Sequence, residues 1–404
     1  MAPALSNEIL LKAASLYGTP LYVYDAERII YQYGLLKESF QRSDVRIFYA
    51  CKALTNVNIL KVLQREGSGI DCVSMNEVRL AMKAGFSTDH IIFTPNSVNL
   101  DEYLEATELR VNINIDNLSI LEAFGNKFGH DYPVIIRLNP HIMAGGNLKI
   151  STGHVDSKFG ISIDQVGQIL EVVKKTNLHV KGLHIHTGSE IKDLEVFVKG
   201  LQTVLDITHH FPEVTIIDLG GGFKVPYKSE EVGTDMAALG LKLFNTMQAF
   251  EIASGRKFQV WFEPGKFLVS QCGYFLVKAN VIKEGPTRSF VGVNSGFNHL
   301  IRPMFYDAYH KIENISNPDG EKKTYNVVGN ICETDTFAWD RELNVVSAND
   351  ILVFYNAGAY GFEMSSRFNS RARPAEVMVN KGQITLIRRR ENFEDILQGV
   401  MLDD

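Results

Sequence analysis

The chain has 404 residues, 45% hydrophobic and 22% charged, which fits a globular protein long enough to bury two cores. A formal net charge of -6 with no long run of one sign argues against a nucleic-acid surface, which needs a concentrated basic face. Four cysteines (Cys51, Cys72, Cys272 and Cys332) are too scattered for a disulfide framework or a close-spaced zinc site, and no apolar stretch is long enough for a bilayer.

The opening "MAPALSNEILLKAASLYGTP" lacks a basic start followed by an apolar block, so no secretory signal is predicted and a cytoplasmic location is expected. "TPLYVYD" then reads as a strand. From about residue 45, short β-branched and aromatic runs alternate with helical periodicity. The strand candidates are "RIFYACK" from Arg46, "GIDCVS" from Gly69, "HIIFTP" from His90 and "RVNINID" from Arg110. They continue with "PVIIRLN" from Pro133, "HVKGLHIHTG" from His179, "VTIIDLGGG" from Val214 and "FQVWFEPG" from Phe258. Eight strands separated by crossover helices predict an α/β fold, a (β/α)8 TIM-type barrel over residues 26–266. An open doubly wound sheet is the competing architecture, but its glycine cluster would follow the first strand, not the seventh. From residue 267 to 404 the runs are strand-like with few helical stretches, which predicts a mainly antiparallel β-domain into which residues 1–25 pair.

The chemistry-bearing residues gather at the ends of the barrel strands, where this fold collects its catalytic groups. Lys52, in "FYACKALTN", stands where a valine would be safer; a lysine kept from water can act as a neutral amine toward an aldehyde. The bland alternative is a lysine with a packed stem and a wet head. "DLGGGF" places Gly220, Gly221 and Gly222 after the seventh strand, where the backbone can approach a phosphate, or simply turn. In "GLHIHTGS", His184 and His186 lie on one face, as metal ligands, as one ring stacked on a flat cofactor with the other in support, or as satisfied interior histidines. No third histidine or cysteine groups with them, so no metal is expected. Glu263 in "WFEPGK" would pair with a cation such as a protonated pyridine nitrogen, or form a surface salt bridge of little worth. A lysine, a ring partner, a phosphate loop and a carboxylate together match what pyridoxal 5'-phosphate (PLP) requires.

The order of motifs then resembles a known family. "YACKA", "DCVSMNE", "SKFGI", "HIHTGSEI", "DLGGGF", "EPGK", "IRPMFYDAYH", "NICETD", "NAGAYGFEMSS" and "RPAEV" are similar to those of the alanine-racemase-like, fold-type III PLP enzymes. Within these, the likeness is to the meso-diaminopimelate decarboxylases. The resemblance implies that Lys52 bonds the cofactor, His186 stacks on its ring, and Glu263 faces the ring nitrogen. It implies that Ser189, Gly220, Gly221, Gly222 and Gly265 cradle the cofactor, that Tyr360 reaches it, and that Asp71 supports the lysine. By the same resemblance Cys332 donates a proton to the α-carbon across the interface of a homodimer, and Arg302, Tyr306, Glu333, Lys266 and Tyr360 contact substrate.

Meso-diaminopimelate carries a second amino-acid head, for which Arg302 would clamp the distal carboxylate and Glu333 the distal ammonium. Diamine-forming relatives typically carry aspartate after the cysteine, so Cys332–Glu333 favours diaminopimelate over ornithine. Three positions depart from the family pattern: Lys266 where arginine is usual, Asn294 where aspartate is frequent, and Glu363 where a small residue is commoner. They leave open a decarboxylase of carboxynorspermidine, ornithine or a carrier-tethered acid. A non-catalytic regulator would lack Lys52 or Cys332, and a racemase would carry arginine in place of Glu263.

Overall fold

Apolar side chains from five parallel strands, Phe48, Ile92, Ile135, Ile216 and Trp261, meet in one cluster and plug a closed barrel. Phe48 and Trp261 pack with ring centroids 4.5 Å apart, and burying a side chain of this size contributes about 2–3 kcal/mol. The chain is seen here as a computed structural model that describes residues 4–40, 44–142, 153 and 157–401. It divides into two units: one of Gln32–Pro226 and Val232–Leu268, the other of Met1–Tyr31, Tyr227–Glu231 and Val269–Asp404.

The first of these units holds the barrel. Its strands, in chain order, are Val45–Ala50, Gly69–Cys72, Ile91–Phe93 and Asn112–Ile115, then Val134–Asn139, Val180–Ile185, Ile216–Asp218 and Gln259–Phe262. Each pairs in parallel with its neighbours, and the eighth closes on the first through Val260↔Val45 to Phe262↔Ile47. The α/β barrel expected from the sequence is therefore present. A further short strand, Ile161–Ser162, adds beside the fifth. The helices cover the barrel with apolar stripes; Leu194–Ile207, for instance, buries Phe197, Val198, Leu201, Val204 and Leu205 at helical spacing.

Side chains two apart on a strand share a face. One such step beyond the plug, residues turn polar: Ile135 gives way to Arg137, Ile216 to Asp218, Trp261 to Glu263, and Gly182 to His184, all buried. Arg137, His184 and Asp218 are direct neighbours across three strands. The plug thus supports a charged layer at the C-terminal end of the barrel.

The other unit is a nine-stranded sheet, mostly antiparallel. Leu21–Asp25 lies inside it, antiparallel to Gly273–Glu284 and parallel to Ala375–Asn380. The strand-like pattern expected from residue 267 begins later: Lys266–Val269 is a helical turn and the strand starts at Gly273. A side chain at Gly273 would collide with the Gly358 backbone at 2.2 Å, so close approach of two chain segments fixes that start. Asn294, one of the departures, holds this unit together: it accepts from the Lys278 amide at 2.8 Å and donates to Thr19 Oγ1 at 2.9 Å. Among the described residues, no helix is long and apolar enough to cross a membrane.

Candidate active site

Lys52 sits on a short 3-10 turn, Cys51–Ala53, directly after the first barrel strand. Two contacts set that turn: Tyr49 Oη donates to the Leu54 carbonyl at 3.1 Å, and Asn56 caps the next helix by accepting from the Asn58 amide at 3.0 Å. The Ala50 amide donates to the Pro264 carbonyl at 3.2 Å, tying the lysine's strand to the loop that carries Glu263. The Lys52 amine lies 3.4 Å from Asp71 Oδ2, and its side chain is 44% exposed while the Asp71 side chain is fully buried. The ammonium is therefore anchored at its base and open toward solvent, where a reactant can reach it. The helix that follows the Asp71 strand is capped at its start, where Ser74 accepts from the Glu77 amide and Glu77 accepts from the Val73 amide at 2.7 Å.

Beneath the lysine lies the charged layer. Glu263 is 8% exposed and its Oε1 has no partner. Burial pushes its pKa well above the ordinary carboxylate range, helped by Asp218 and Asp71 and opposed by Lys52 and Arg137. Asp218 is raised too, first by burial; the Gly220 amide donating to Oδ1 at 2.8 Å acts the other way. His184 is fully buried, 2.5 Å from Asn114 Nδ2 through Nδ1 and 3.4 Å from Glu263 Oε2 through Nε2. Burial, then Arg137, His186 and Lys52, keep it neutral. One donor atom each from His184, Asp218 and Glu263 lies within 4.8 Å of the others, a set that could hold a cation; Arg137 already supplies positive charge to this layer.

His186 is also held neutral, its pKa lowered to about 3 by burial and then by Arg137 and Lys52. The Gly221 amide donates to its Nδ1 at 3.2 Å, which fixes the ring. Each of the three glycines has a steric reason. A Cβ at Gly220 would lie 2.5 Å from His186 Nδ1, one at Gly221 2.5 Å from the Glu263 carbonyl, and one at Gly222 2.2 Å from the Gly188 carbonyl. Gly220 and Gly222 also have positive φ. The run is therefore more than a turn: it lets one loop lie against His186, Glu263 and the Gly188–Ser189 loop together. Gly220 and Gly221 spend their amides on Asp218 and His186, whereas no described residue accepts from the Gly222 or Phe223 amides. A Cβ at Gly265 would lie 3.2 Å from the Cβ atoms of Ala50 and Ala53, on either side of Lys52.

Lys266 is paired with Glu190, both side chains largely buried. The sequence reading offered this lysine to the substrate; here its charge is balanced within the barrel unit. Glu190 was missed, although it sits inside the quoted "HIHTGSEI", because only the structure brings it to Lys266.

The remaining predicted residues belong to the β-domain unit. Arg302 opens the helix Arg302–Tyr306 and is 7% exposed, with its guanidinium 5.6 Å from the Tyr227 ring and 5.9 Å from the Tyr306 ring. Arg302 Nε and Tyr227 Oη are buried without partners. Tyr227 was not singled out in the sequence, where "KVPYK" reads as an ordinary loop. Tyr360 holds φ +57°, an uncommon conformation for a bulky residue. Cys332 and Glu333 are exposed on the loop between strands Lys322–Val328 and Thr336–Asn344. Glu363 falls in a 3-10 turn just after Tyr360.

The barrel residues fit PLP: an accessible amine for its aldehyde, a buried carboxyl with an unpartnered oxygen for its ring nitrogen, a fixed neutral imidazole, and two spare amides for its phosphate. Residues 26–270 match the family described as pyridoxal-dependent decarboxylase, pyridoxal binding domain. Over 400 residues the chain is 39% identical to a diaminopimelate decarboxylase of Methanothermobacter thermautotrophicus, covering 96% of this chain and 93% of that one. It is 35% identical to the diaminopimelate decarboxylase of Campylobacter jejuni, covering 94% and 95%. A crystal structure of diaminopimelate decarboxylase from Helicobacter pylori complexed with L-lysine is 30% identical with a TM-score of 0.89, covering 96% of this chain and 98% of that one. The family match over residues 26–270 spans more than half of the chain, and the chain belongs to the pyridoxal-dependent decarboxylases.

Proposed function

We propose that the protein is a PLP-dependent carboxy-lyase that converts meso-2,6-diaminopimelate to L-lysine and carbon dioxide, the last step of lysine formation. Bound PLP supplies an aldehyde for the substrate amine and a protonated ring that draws electrons from the α-carbon as the carboxylate leaves. Lys52 would hold the cofactor through its amine, with Asp71 steadying that amine at 3.4 Å. Glu263 keeps the ring nitrogen protonated: a carboxyl whose proton affinity is raised by burial can share that proton rather than surrender it to water. His186 presents a neutral face to the ring, the Gly220–Gly222 loop and Ser189 hold the phosphate, and Gly265 and Tyr360 complete the cofactor's surroundings.

The observation that carries the choice of substrate is Arg302: a buried guanidinium with an unpartnered Nε, flanked by Tyr227 and Tyr306. A buried cation calls for an anion. A substrate with a distal carboxylate supplies one; ornithine does not. Glu333 takes the distal ammonium, and Cys332 returns a proton to the α-carbon. Lys266, neutralised by Glu190, sets the neighbouring charge without a free cation to offer the substrate. The protein acts as a homodimer in which Cys332 and Glu333 serve the partner's barrel, and it works in the cytoplasm, where its four free cysteines stay reduced.

The test is product identification after the PLP-loaded protein meets meso-diaminopimelate, ornithine and lysine separately. Lysine from the first alone supports the proposal; carbon dioxide from ornithine or lysine at a comparable rate contradicts it.

A further inference from the structure

Cys332 is held at both its sulfur and its backbone by a single side chain. Asn369 Oδ1 accepts from the Cys332 amide at 3.0 Å, and Asn369 Nδ2 donates to Cys332 Sγ at 3.1 Å. The orientation of the amide follows from chemistry: a backbone N–H can only donate, so the carbonyl end faces it and the NH2 end faces sulfur. Asn369 reaches this position by adopting φ 56° and ψ 28°, a left-handed conformation that asparagine tolerates better than most residues.

The two loops are joined at further points. Phe297 stacks on Phe368 with centroids 5.6 Å apart, and Arg371 Nη2 donates to the Asn330 carbonyl at 3.2 Å. The cysteine loop is itself braced by Asp335, which accepts from the Phe297 amide at 2.6 Å and the Ile331 amide at 3.0 Å. Loop position therefore does not depend on Asn369 alone. What this residue adds is a donor aimed at sulfur.

We infer that Asn369 is a positioning residue for proton delivery by Cys332, an inference that rests on the proton-donor role proposed above. An NH2 group cannot accept the S–H, so the thiol proton must point elsewhere, free for a substrate carbon. Once that proton has moved to carbon, the sulfur is left negative and the Nδ2–H bond becomes charge-assisted, the stronger kind. The amide thus favours the state in which the proton has been given up, without touching the substrate.

Asn369→Ala removes both contacts; Asn369→Asp keeps an acceptor for the Cys332 amide and loses the donor to sulfur. Cys332 is the exposed member of four free cysteines, so alkylation by iodoacetamide, located by peptide mass spectrometry, reads it selectively. In the apoprotein, both variants should alkylate at Cys332 about tenfold more slowly at fixed pH. In the PLP-loaded enzyme, kcat should fall with KM little changed, while melting temperature stays near that of the parent. An unchanged alkylation rate in both variants would overturn the inference directly. Should Cys332→Ala leave kcat intact, the donor role falls and the inference with it, and the alkylation rates then show separately whether the amide acts on sulfur.

Discussion

Replacing Glu263 with glutamine separates what the buried layer does for chemistry from what it costs the fold. The side chain keeps its shape, so no cavity opens, but the charge and the exchangeable proton are lost. Because Glu263 is buried with Oε1 unpartnered, its bond to a ring nitrogen would not be shared with water. A hydrogen bond to a charged group in such a place is worth about 1.5–3 kcal/mol. That corresponds to a fall in kcat of about 10- to 150-fold. Stability should move the other way. The folded carboxyl has a raised pKa, chiefly from burial, so between the ordinary glutamate range and the folded value the native chain holds a proton the unfolded chain has released. Stability therefore falls as pH rises through that window, and glutamine abolishes the loss. Melting the apoprotein should show Glu263→Gln close to the parent at about pH 4 and above it at about pH 8. Slower turnover without a gain in melting temperature at the higher pH would refute the reasoning on burial; unchanged turnover would refute the pairing with the ring.

Cys332→Ala should lower kcat by about 100-fold or more, the usual worth of a positioned general acid, and leave substrate binding nearly intact; a parallel rise in KM would reassign the residue to binding. Arg302→Ala should raise KM for meso-diaminopimelate about tenfold or more without altering PLP affinity, read by fluorescence titration of the apoprotein. Gly222→Ala places a Cβ 2.2 Å from the Gly188 carbonyl at φ +96°, so PLP affinity should drop at least about tenfold and the fold should lose about 1–3 kcal/mol; retained affinity would show that the loop does not hold the phosphate.

The barrel was legible because its strands are buried on both sides and read as apolar runs: "RIFYA" and "PVIIRLN" both became strands. The site residues that stood out were those whose type is costly where the pattern put them, such as Lys52 at a strand end and Glu263 after "QVWF". Residues that act through partners distant in sequence did not stand out. Asn369 meets Cys332 across 37 positions, Glu190 meets Lys266 across 76, and Tyr227 meets Arg302 through ring contact alone. Asparagine, glutamate and tyrosine in loops look unexceptional until folding supplies the neighbour. The strands also proved shorter than the apolar runs suggested: "VTIIDLGGG" is a strand only over Ile216–Asp218. The segment that follows is tied by single backbone bonds, Glu263 N–H to the Gly220 carbonyl and Ile191 N–H to the Gly222 carbonyl, rather than by a continuous ladder.

The proposed chemistry requires Lys52 to carry the cofactor. Reducing the PLP-loaded protein with borohydride fixes the pyridoxyl group to whichever amine holds it, and digestion with mass spectrometry locates that amine. A phosphopyridoxyl group on the peptide containing Lys52, absent from Lys52→Ala, is the predicted result. A label on another lysine, or one that persists in the variant, would contradict it.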